Sequence, residues 1–338
     1  MSHPAPAPSE DVIEPDLPIC DPHHHLWDRH GHRYLLHELL DDTGERDALG
    51  RCHDVRSTVF VECLSMFRAD GPAALRPVGE TEFVNGIAAM SASGGYGPTR
   101  VAAGIVGLAD LRLGTAVREV LQAHLAAAPA RFRGIRHAAA WDASPQVRNA
   151  HTEPAEHLLA DARFREGFAQ LAPLGLSFDA WLYHPQIPEL TALARAFPDT
   201  TIVLDHVGGP LGIGPYAGRS EEVLAQWRRH IDELATCPNV VLKLGGLAMP
   251  INGFGWHKQA QLPGSVQLAN ASAPYVLHAI ERFGAARCMF ESNFPVDKVS
   301  CSYLVLWNSF KRLAAGASPT EKAALFHDTA VRVYRLAG

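Results

Sequence analysis

The chain has 338 residues, of which 47% are hydrophobic, so it can bury a large core. Its formal net charge is -6 with the histidines neutral, and no run of Lys or Arg occurs. This balance disfavours nucleic acid and anionic membrane surfaces as partners. We therefore expect the partner to be a small molecule.

Six cysteines are scattered without a Cys-x-x-Cys pair, which indicates neither a disulfide framework nor a zinc ribbon. This usage fits a reducing compartment, and we expect a cytoplasmic protein. Residues 1–16 are rich in Pro, Ala and acidic side chains and lack the pattern of a signal peptide. We predict a flexible N-terminal tail over 1–16 and a single domain over 17–338, with no apolar stretch long enough to span a bilayer.

The first apolar run leads into the segment Asp-Pro-His-His-His-Leu-Trp at 21–27. Because side chains alternate along an extended segment, His23 and His25 point one way and His24 the other. Two imidazoles on one face at a strand end form half of a divalent-metal site. The pattern favours a His-x-His chelate, and the alternative is a pair of surface or hydrogen-bonded histidines.

Short apolar runs rich in β-branched residues recur along the chain, with helical patterns between them. Each run is almost continuously apolar, as buried parallel strands are, and a polar or Gly-containing turn follows it. Eight such units in this length predict a closed (β/α)8 barrel, also called a TIM barrel. The predicted strands cover residues 17–20, 58–63, 101–108, 132–137, 176–182, 202–206, 240–244 and 288–292.

Two further segments carry readable signals. The stretch 68–97 contains Gly-Pro and Gly-Gly pairs and predicts a long loop after strand two, of the kind that shapes a substrate pocket. Near the C-terminus, Ser318 is followed by Pro319 and Glu321, which predicts the capped start of the last helix.

Polar side chains gather at the carboxyl ends of the predicted strands, where the active sites of such barrels lie. Besides the histidine pair, this group contains Glu62, Arg136, His137, Trp181, His184, His206, Glu291 and Asn293. Lys243 lies inside the apolar seventh run, where an ion pair with a carboxylate in the barrel is the favoured interpretation. The clustering supports both the fold and the presence of a site.

These motifs resemble the amidohydrolase superfamily, specifically its amidohydrolase-2 branch. That branch includes sugar-acid lactonases, 2-pyrone-4,6-dicarboxylate lactonase, 4-sulfomuconolactone hydrolase and some decarboxylases. The resemblance runs from residue 17 onward. It rests on His-x-His-Leu-Trp at 23–27, Arg-Gly-Ile-Arg-His at 133–137, Leu-Asp-His-Val-Gly-Gly-Pro at 204–210 and Ser-Asn-Phe-Pro-Val at 292–296.

The resemblance implies that His23 and His25 hold one divalent metal ion, Zn²⁺ or Mn²⁺, with His184 as a third ligand. It also implies that His206 polarises the substrate carbonyl or moves a proton near the attacking water. The chemistry would be hydrolysis of a carbonyl compound, in which a metal or acid polarises the bond and a base activates water.

The predicted substrate-binding residues are Arg133, Arg136, Glu62 and Trp181. A guanidinium group matches a carboxylate or sulfonate through two hydrogen bonds, so the arginines indicate an anionic substrate. A carboxylate that ends an apolar strand needs a partner, which leaves Glu62 equally open to a salt bridge.

The chain departs from the family at the eighth strand. The usual motif there is Ser-Asp-Trp/Phe-Pro, whose Asp acts as the base, whereas this chain has Asn293, and an amide cannot take a proton at neutral pH. We hypothesise that Glu291 or Glu62 supplies the missing carboxylate. Asp297 lies in the following turn, where it either swings toward the pocket or pairs with Lys298.

The predicted function is that of a lactonase, a carboxylic-ester hydrolase that opens a small anionic lactone with metal-activated water. Three alternatives stay open: a metal-independent lactonase of the same fold, a non-oxidative decarboxylase of the same branch, and a non-catalytic binding protein that kept the barrel. The expected partner is a small anionic metabolite, with neither nucleic acid nor membrane, and the resemblance is compatible with a homo-oligomer.

Overall fold

The computed structural model describes residues 5, 9–29 and 31–337. Its strands, in chain order, are β1 (Pro18–His24), β2 (Trp27–Arg29), β3 (His32–Tyr34), β4 (Asp54–Val61), β5 (Arg100–Gly107), β6 (Phe132–Arg136), β7 (Ser177–Ala180), β8 (Ile202–Leu204), β9 (Val240–Leu244) and β10 (Cys288–Phe290). Strands β2 and β3 form a short antiparallel hairpin, and the other eight form one parallel sheet in chain order.

The two edges of this sheet meet beyond the ends of β1 and β10. The backbone N–H of His25 donates to the carbonyl of Phe294 at 2.8 Å, and the N–H of Asn293 donates to the carbonyl of His23 at 2.9 Å. These bonds bring the sheet to a nearly closed barrel, so the predicted (β/α)8 fold is confirmed and all eight predicted runs are strands.

The helices surround the barrel and are α1 (Leu36–Thr43), α2 (Val78–Ala92), α3 (Val117–Ala127), α4 (Ala162–Phe168), α5 (Ile187–Ala196), α6 (Ser220–Leu234), α7 (Ser265–Phe283), α8 (Tyr303–Leu313), α9 (Pro319–Ala323) and α10 (Thr329–Val333). Helix α9 has the predicted cap, because Ser318 Oγ accepts the N–H of Glu321 at 3.3 Å. Within the described part of the chain, no helix is long and apolar enough to cross a bilayer.

The connection after β4 differs from its prediction as a long loop. Helix α2 occupies residues 78–92, so half of the stretch 68–97 is helical. The Gly and Pro residues that favoured a loop flank the helix at 71–72 and 94–98 and mark its two ends. The true loop at this strand end is the segment 62–77, interrupted by one short 3₁₀ turn.

The N-terminal segment also differs from its prediction. Ile13 N–H donates to the side chain of Asn308 at 2.9 Å, Ser265 N–H donates to the carboxylate of Glu10 at 2.6 Å, and Val12 is buried. Residues 10–13 are therefore packed against α7 and α8, because their backbone and acidic side chains find partners there. Of the predicted flexible tail, residues 1–4 and 6–8 lie outside the described residues.

The inside of the barrel is divided into an apolar floor and a charged layer above it. The floor consists of alternate strand residues and the C-terminal segment, and includes Cys20, Val59, Val106, Val203, Val241, Met289 and Tyr334. Because charged groups cannot be solvated by such a floor, those above it must pair with one another or with a ligand.

Candidate active site

His23 is fully buried at the end of β1 among charged side chains. Its Nδ1 atom lies 2.8 Å from Glu291 Oε2 and 3.2 Å from Lys243 Nζ, and its Nε2 atom lies 3.4 Å from Nη1 of Arg136. Burial lowers the pKa of His23, Lys243 lowers it further, and Glu291 opposes both. The ring is therefore neutral at pH 7, which is the form that binds metals.

His206 follows β8 and is held by Glu291 from the end of β10. Its Nδ1 atom lies 2.6 Å from Glu291 Oε1, and the same oxygen accepts the backbone N–H of His206 at 3.0 Å. Burial alone would raise the pKa of Glu291, but His206 and then His23 outweigh it and lower the pKa to about 2. An ionised carboxylate at Nδ1 fixes the tautomer of an imidazole and leaves Nε2 for proton transfer.

Two buried cations lie beside the histidines. Lys243 Nζ is 2.7 Å from Asp179 and 3.0 Å from Asp205. The guanidinium of Arg136 is 2.7 Å from Glu62 and 3.5 Å from Asp205. Burial alone would lower the pKa of Lys243, but Asp179 and Asp205 outweigh it and raise the pKa, so the ammonium group is charged. The predicted ion pair of Lys243 inside the barrel is present.

A candidate metal centre is formed by His23, Asp205 and His206, whose ligand atoms lie within 4.8 Å of one another. Two imidazoles and a carboxylate are a donor set that suits Zn²⁺ or Mn²⁺. The surroundings suit a divalent cation as well, because four buried carboxylates, those of Glu62, Asp179, Asp205 and Glu291, share two buried cations, Arg136 and Lys243. Both ring nitrogens of His23 already face a cation, so binding through His23 requires Arg136 or Lys243 to withdraw.

His25 lies next to this group. Its ring centroid is 4.9 Å from that of His23, and its Nδ1 atom is 2.8 Å from the carbonyl of Val61. That carbonyl can only accept, so Nδ1 carries the proton and Nε2 has a lone pair available to a ligand. Burial, followed by His23, lowers the pKa of His25 well below its ordinary value.

His184, the predicted third ligand, is not part of this group. Its Nδ1 atom accepts the backbone N–H of Leu211 at 3.3 Å, and its ring packs against Tyr216. Strand β7 already ends at Ala180, so His184 lies in the turn beyond it. In the candidate metal group the third donor is Asp205, which directly precedes His206.

The predicted pair of arginines is also corrected. Arg133 lies near the start of β6, at the opposite end of the barrel, and donates to the carbonyl of Phe132 at 3.0 Å. Arg136 does reach the pocket, but it donates to the side chain and the carbonyl of Glu62 at 2.7 and 2.6 Å. The two arginines are three residues apart, an odd spacing that places them on opposite faces of a strand.

Glu62 is fully buried between Arg136 and His151, whose Nε2 atom lies 3.1 Å from it. Burial alone would raise the pKa of Glu62, but Arg136 and then His151 lower it to about 2. The carboxylate is thus committed to two partners, which favours the salt-bridge interpretation over that of a free base.

Asn293 and Asp297 are joined at the strand-eight end of the site. Asn293 Nδ2 donates to Asp297 Oδ1 at 3.0 Å, and the backbone N–H of Ala248 donates to Asp297 Oδ2 at 3.2 Å. Lys298 pairs with Asp42 at 2.7 Å, so it is not the partner of Asp297. Burial raises the pKa of Asp297 to about 7.

An open pocket of about 560 Å³ lies over the cluster. Aromatic and basic side chains contribute to its wall, namely His25, Trp27, Arg29, Arg136, Arg148, His151, Trp181 and Tyr183. Of the predicted substrate-binding residues, Arg136 and Trp181 are here, and the ring of Trp181 lies 4.8 Å from that of His206. The predictions missed Arg29 and Arg148, which stand in a hairpin and a loop without a strand signal.

Comparison with known proteins places this geometry in a family. A family profile described as amidohydrolase matches residues 20–336. The chain is 35% identical over 342 residues to the uncharacterized protein y4mH of Sinorhizobium fredii, covering 95% of this chain and 99% of that protein. It is 28% identical over 277 residues to an L-fucono-1,5-lactonase of Burkholderia multivorans, covering 78% and 86% respectively.

A solved structure agrees with these sequence matches. The crystal structure of an amidohydrolase from Burkholderia multivorans with bound zinc has a TM-score of 0.70 and 25% identity, and the match covers 94% of this chain and 99% of that one. The family profile extends from within β1 to beyond the end of α10. The chain therefore belongs to the amidohydrolase family.

Proposed function

We propose that this hydrolase is a lactonase, which opens the ring ester of a small anionic lactone. The observation that carries the proposal is the pairing of His206 with Glu291 at 2.6 Å beside an open pocket at the strand ends. This is the arrangement of a general base that activates water. The relative that is an L-fucono-1,5-lactonase supports a cyclic ester as the substrate.

In the proposed reaction, Nε2 of His206 takes a proton from a water molecule as the water oxygen bonds to the lactone carbonyl carbon. The ring C–O bond then breaks, and the imidazolium returns its proton to the leaving alkoxide, so no proton is gained or lost at the enzyme. Glu291 stays ionised throughout and stabilises the imidazolium through Nδ1. In this way His206 does the work that the family assigns to the missing Asp.

A divalent cation, for which we propose Zn²⁺, fits this scheme when His206 is kept as the base. His23 and Asp205 would then hold the ion with His25 beside them, since no described residue bonds to Nε2 of His25. A bound cation supplies Lewis acidity to the carbonyl oxygen and lowers the pKa of water. Zinc in the Burkholderia multivorans amidohydrolase supports this choice of metal.

The pocket wall supports a small, polar and anionic ring as the substrate. The indole ring of Trp181 offers apolar surface to the C–H groups of such a ring, whereas the ring of Trp27 is covered by the guanidinium of Arg29 at 4.7 Å. Arg29 and Arg148 offer guanidinium groups for a carboxylate. We also propose a cytoplasmic location, which the six unpaired cysteines support.

The test is a hydrolysis screen of a lactone panel with zinc-loaded and chelator-treated protein, followed by the H206Q variant on the best substrate. We expect H206Q to lower kcat by ~10²- to 10⁴-fold, the usual contribution of a positioned general base. The matched control is H327Q, which changes a histidine on the surface helix segment near Asp328. Absence of ring opening with every lactone, or full activity of H206Q, would contradict the proposal, and release of CO₂ from aromatic acids would identify a decarboxylase instead.

A further inference from the structure

Asp297 is a fully buried carboxyl group that has no role in the proposed hydrolysis. Each of its oxygens accepts one hydrogen bond, Oδ1 from the side chain of Asn293 and Oδ2 from the backbone of Ala248. A buried carboxylate without a cationic partner is costly, because two neutral N–H donors replace its hydration only in part. Its two hydrogen bonds connect it to one side chain and to one loop.

The first thing it holds is the carboxamide of Asn293. The backbone of Asn293 is fixed by the bond from its N–H to the carbonyl of His23, at a φ of 55° that Asn tolerates better than most residues. The amide presents its donor atom Nδ2 to Asp297, at 3.0 Å from Oδ1. The acceptor Oδ1 is thereby turned away from Asp297, and no described residue donates to it.

Asp297 also holds the loop that follows β9. Ala248 belongs to the segment 245–248, in which Gly246 has a φ of 67° and lies directly against His206. A Cβ atom added at Gly246 would come within 2.5 Å of the imidazole ring. Fastening Ala248 to Asp297 therefore keeps the loop in contact with one side of His206, while Trp181 packs edge-on against the ring.

We propose that Asp297 is a positioning residue, which directs the free oxygen of Asn293 at the attacking water and keeps His206 in place beside it. The inference rests on the proposed hydrolysis. Oδ1 of Asn293 accepts a hydrogen bond from one hydrogen of the water, and Nε2 of His206 takes the other as a proton. The task of the family's Asp is thus divided, with orientation assigned to Asn293 and proton transfer to His206.

The decisive experiment exchanges the two side chains. In D297N, the new amide has a single acceptor oxygen for two N–H donors, so either Asn293 or Ala248 loses its bond. We expect kcat to fall by ~10- to 100-fold, as misplacement of a catalytic group does, with KM within about twofold. In the exchanged variant N293D/D297N, the amide at position 297 accepts from Ala248 and donates to the carboxylate at 293, and kcat should recover to within about threefold of the wild type.

The control is K298Q, which removes the surface pair with Asp42 and the contact of the ammonium group with the ring of Tyr34, and should leave kcat unchanged. A melting temperature measured for each variant separates positioning from folding, because a structural role would change stability and active fraction together. Wild-type kcat in D297N, or an exchanged variant that regains stability but not kcat, would overturn the proposal.

A second readout does not depend on turnover. The side-chain NH₂ of Asn293 should give ¹⁵N–¹H signals that exchange slowly in the wild type and fast in D297N. Equal exchange in both proteins would overturn the positioning role even if the enzyme is a lactonase. If no lactone is opened by the wild type, the proposed function fails, and the NMR result still decides whether Asp297 holds Asn293.

Discussion

One carboxylate, that of Glu291, lies between two histidines, with Oε1 2.6 Å from Nδ1 of His206 and Oε2 2.8 Å from Nδ1 of His23. The two imidazole centroids are 4.5 Å apart. A single side chain from β10's end therefore sets the orientation of rings that come from two other strand ends.

The variant E291Q tests this bridge. An amide has one acceptor oxygen and places an NH₂ group against the other ring, so one histidine must turn. We expect kcat to fall by ~10²- to 10⁴-fold, the range seen when the partner of a catalytic imidazole is removed. The check is steady-state kinetics on the best lactone, and kcat within twofold of the wild type would rule the bridge out as a catalytic requirement.

The variant E62Q tests a structural ion pair. Removing the charge of Glu62 leaves Arg136 buried opposite a neutral amide, and we expect the free energy of unfolding to fall by about 3 kcal/mol. The matched control is E233Q, whose exposed pair with Arg195 should contribute below about 1 kcal/mol. Urea unfolding measures both. An equal decrease in the free energy of unfolding in E62Q and E233Q would show that the buried ion pair stabilises the fold no more than the exposed one.

Measurement of bound zinc distinguishes two candidate ligand sets, the group of His23, Asp205 and His206 and the predicted set that includes His184. We expect H23N to lose bound zinc, because His23 belongs to the group of three donors, and H184Q to retain it, because His184 is bonded to Leu211 elsewhere. Elemental analysis of protein purified without chelator gives the stoichiometry. Loss of zinc in H184Q would restore His184 as a ligand.

Arginine variants test substrate charge. We expect R148M to raise KM for an anionic lactone by about tenfold, the loss of one charge-assisted contact, and to leave KM for a neutral lactone within about twofold. R133M, at the opposite end of the barrel, should change neither. Parallel kinetics on the two lactones make the comparison, and an effect of R133M on KM would contradict its placement away from the pocket.

Glu80 provides a test in pH. It accepts N–H bonds from Cys63 and Ser65, and burial, followed by Glu62, raises its pKa to about 8. Between the ordinary value of 4.5 and about 8, the folded state therefore holds a proton that the unfolded state has lost. The contribution of Glu80 to stability is complete below pH 4.5 and is lost as the pH rises to about 8.

The variant E80Q cannot lose that proton. Its stability relative to the wild type should therefore increase from pH 4.5 to 8 and stay level above, by as much as ~1.4 kcal/mol per pH unit in between. The control is E82Q on the exposed side of the same helix, which should show no such rise. Urea unfolding at several pH values gives both curves, and parallel curves for E80Q and wild type would contradict the prediction.

The fold could be predicted from sequence because buried parallel strands are nearly continuous apolar runs, and the run at 240–244 coincides with β9. The central histidines could be predicted too, since strand ends converge in a barrel. Sequence spacing misplaced two residues, because a strand ended earlier than predicted or because a side chain lay on the other face of its strand. His184 lies beyond the end of its strand, and Arg133 lies on the opposite face from Arg136.

Other site residues left no local signal. Arg148 and His151 belong to a long irregular connection between β6 and α4, whose path depends on tertiary contacts such as the bond from His151 to Glu62. Asp205 was visible in the sequence beside His206, but its role as a third donor depends on a turn in which His206 has a φ of 54°. Such a turn is not encoded in hydrophobic periodicity.

The seam of the barrel lies within the site itself. The bond from Asn293 N–H to the carbonyl of His23 joins the last strand region to the first, and the same two residues lie in the candidate active site. Chain segments that are 270 positions apart must therefore meet before any of the proposed chemistry exists. A chain that lacks β10 and the residues after it has neither this seam nor Glu291, so closure of the barrel and assembly of the candidate site depend on the same contacts.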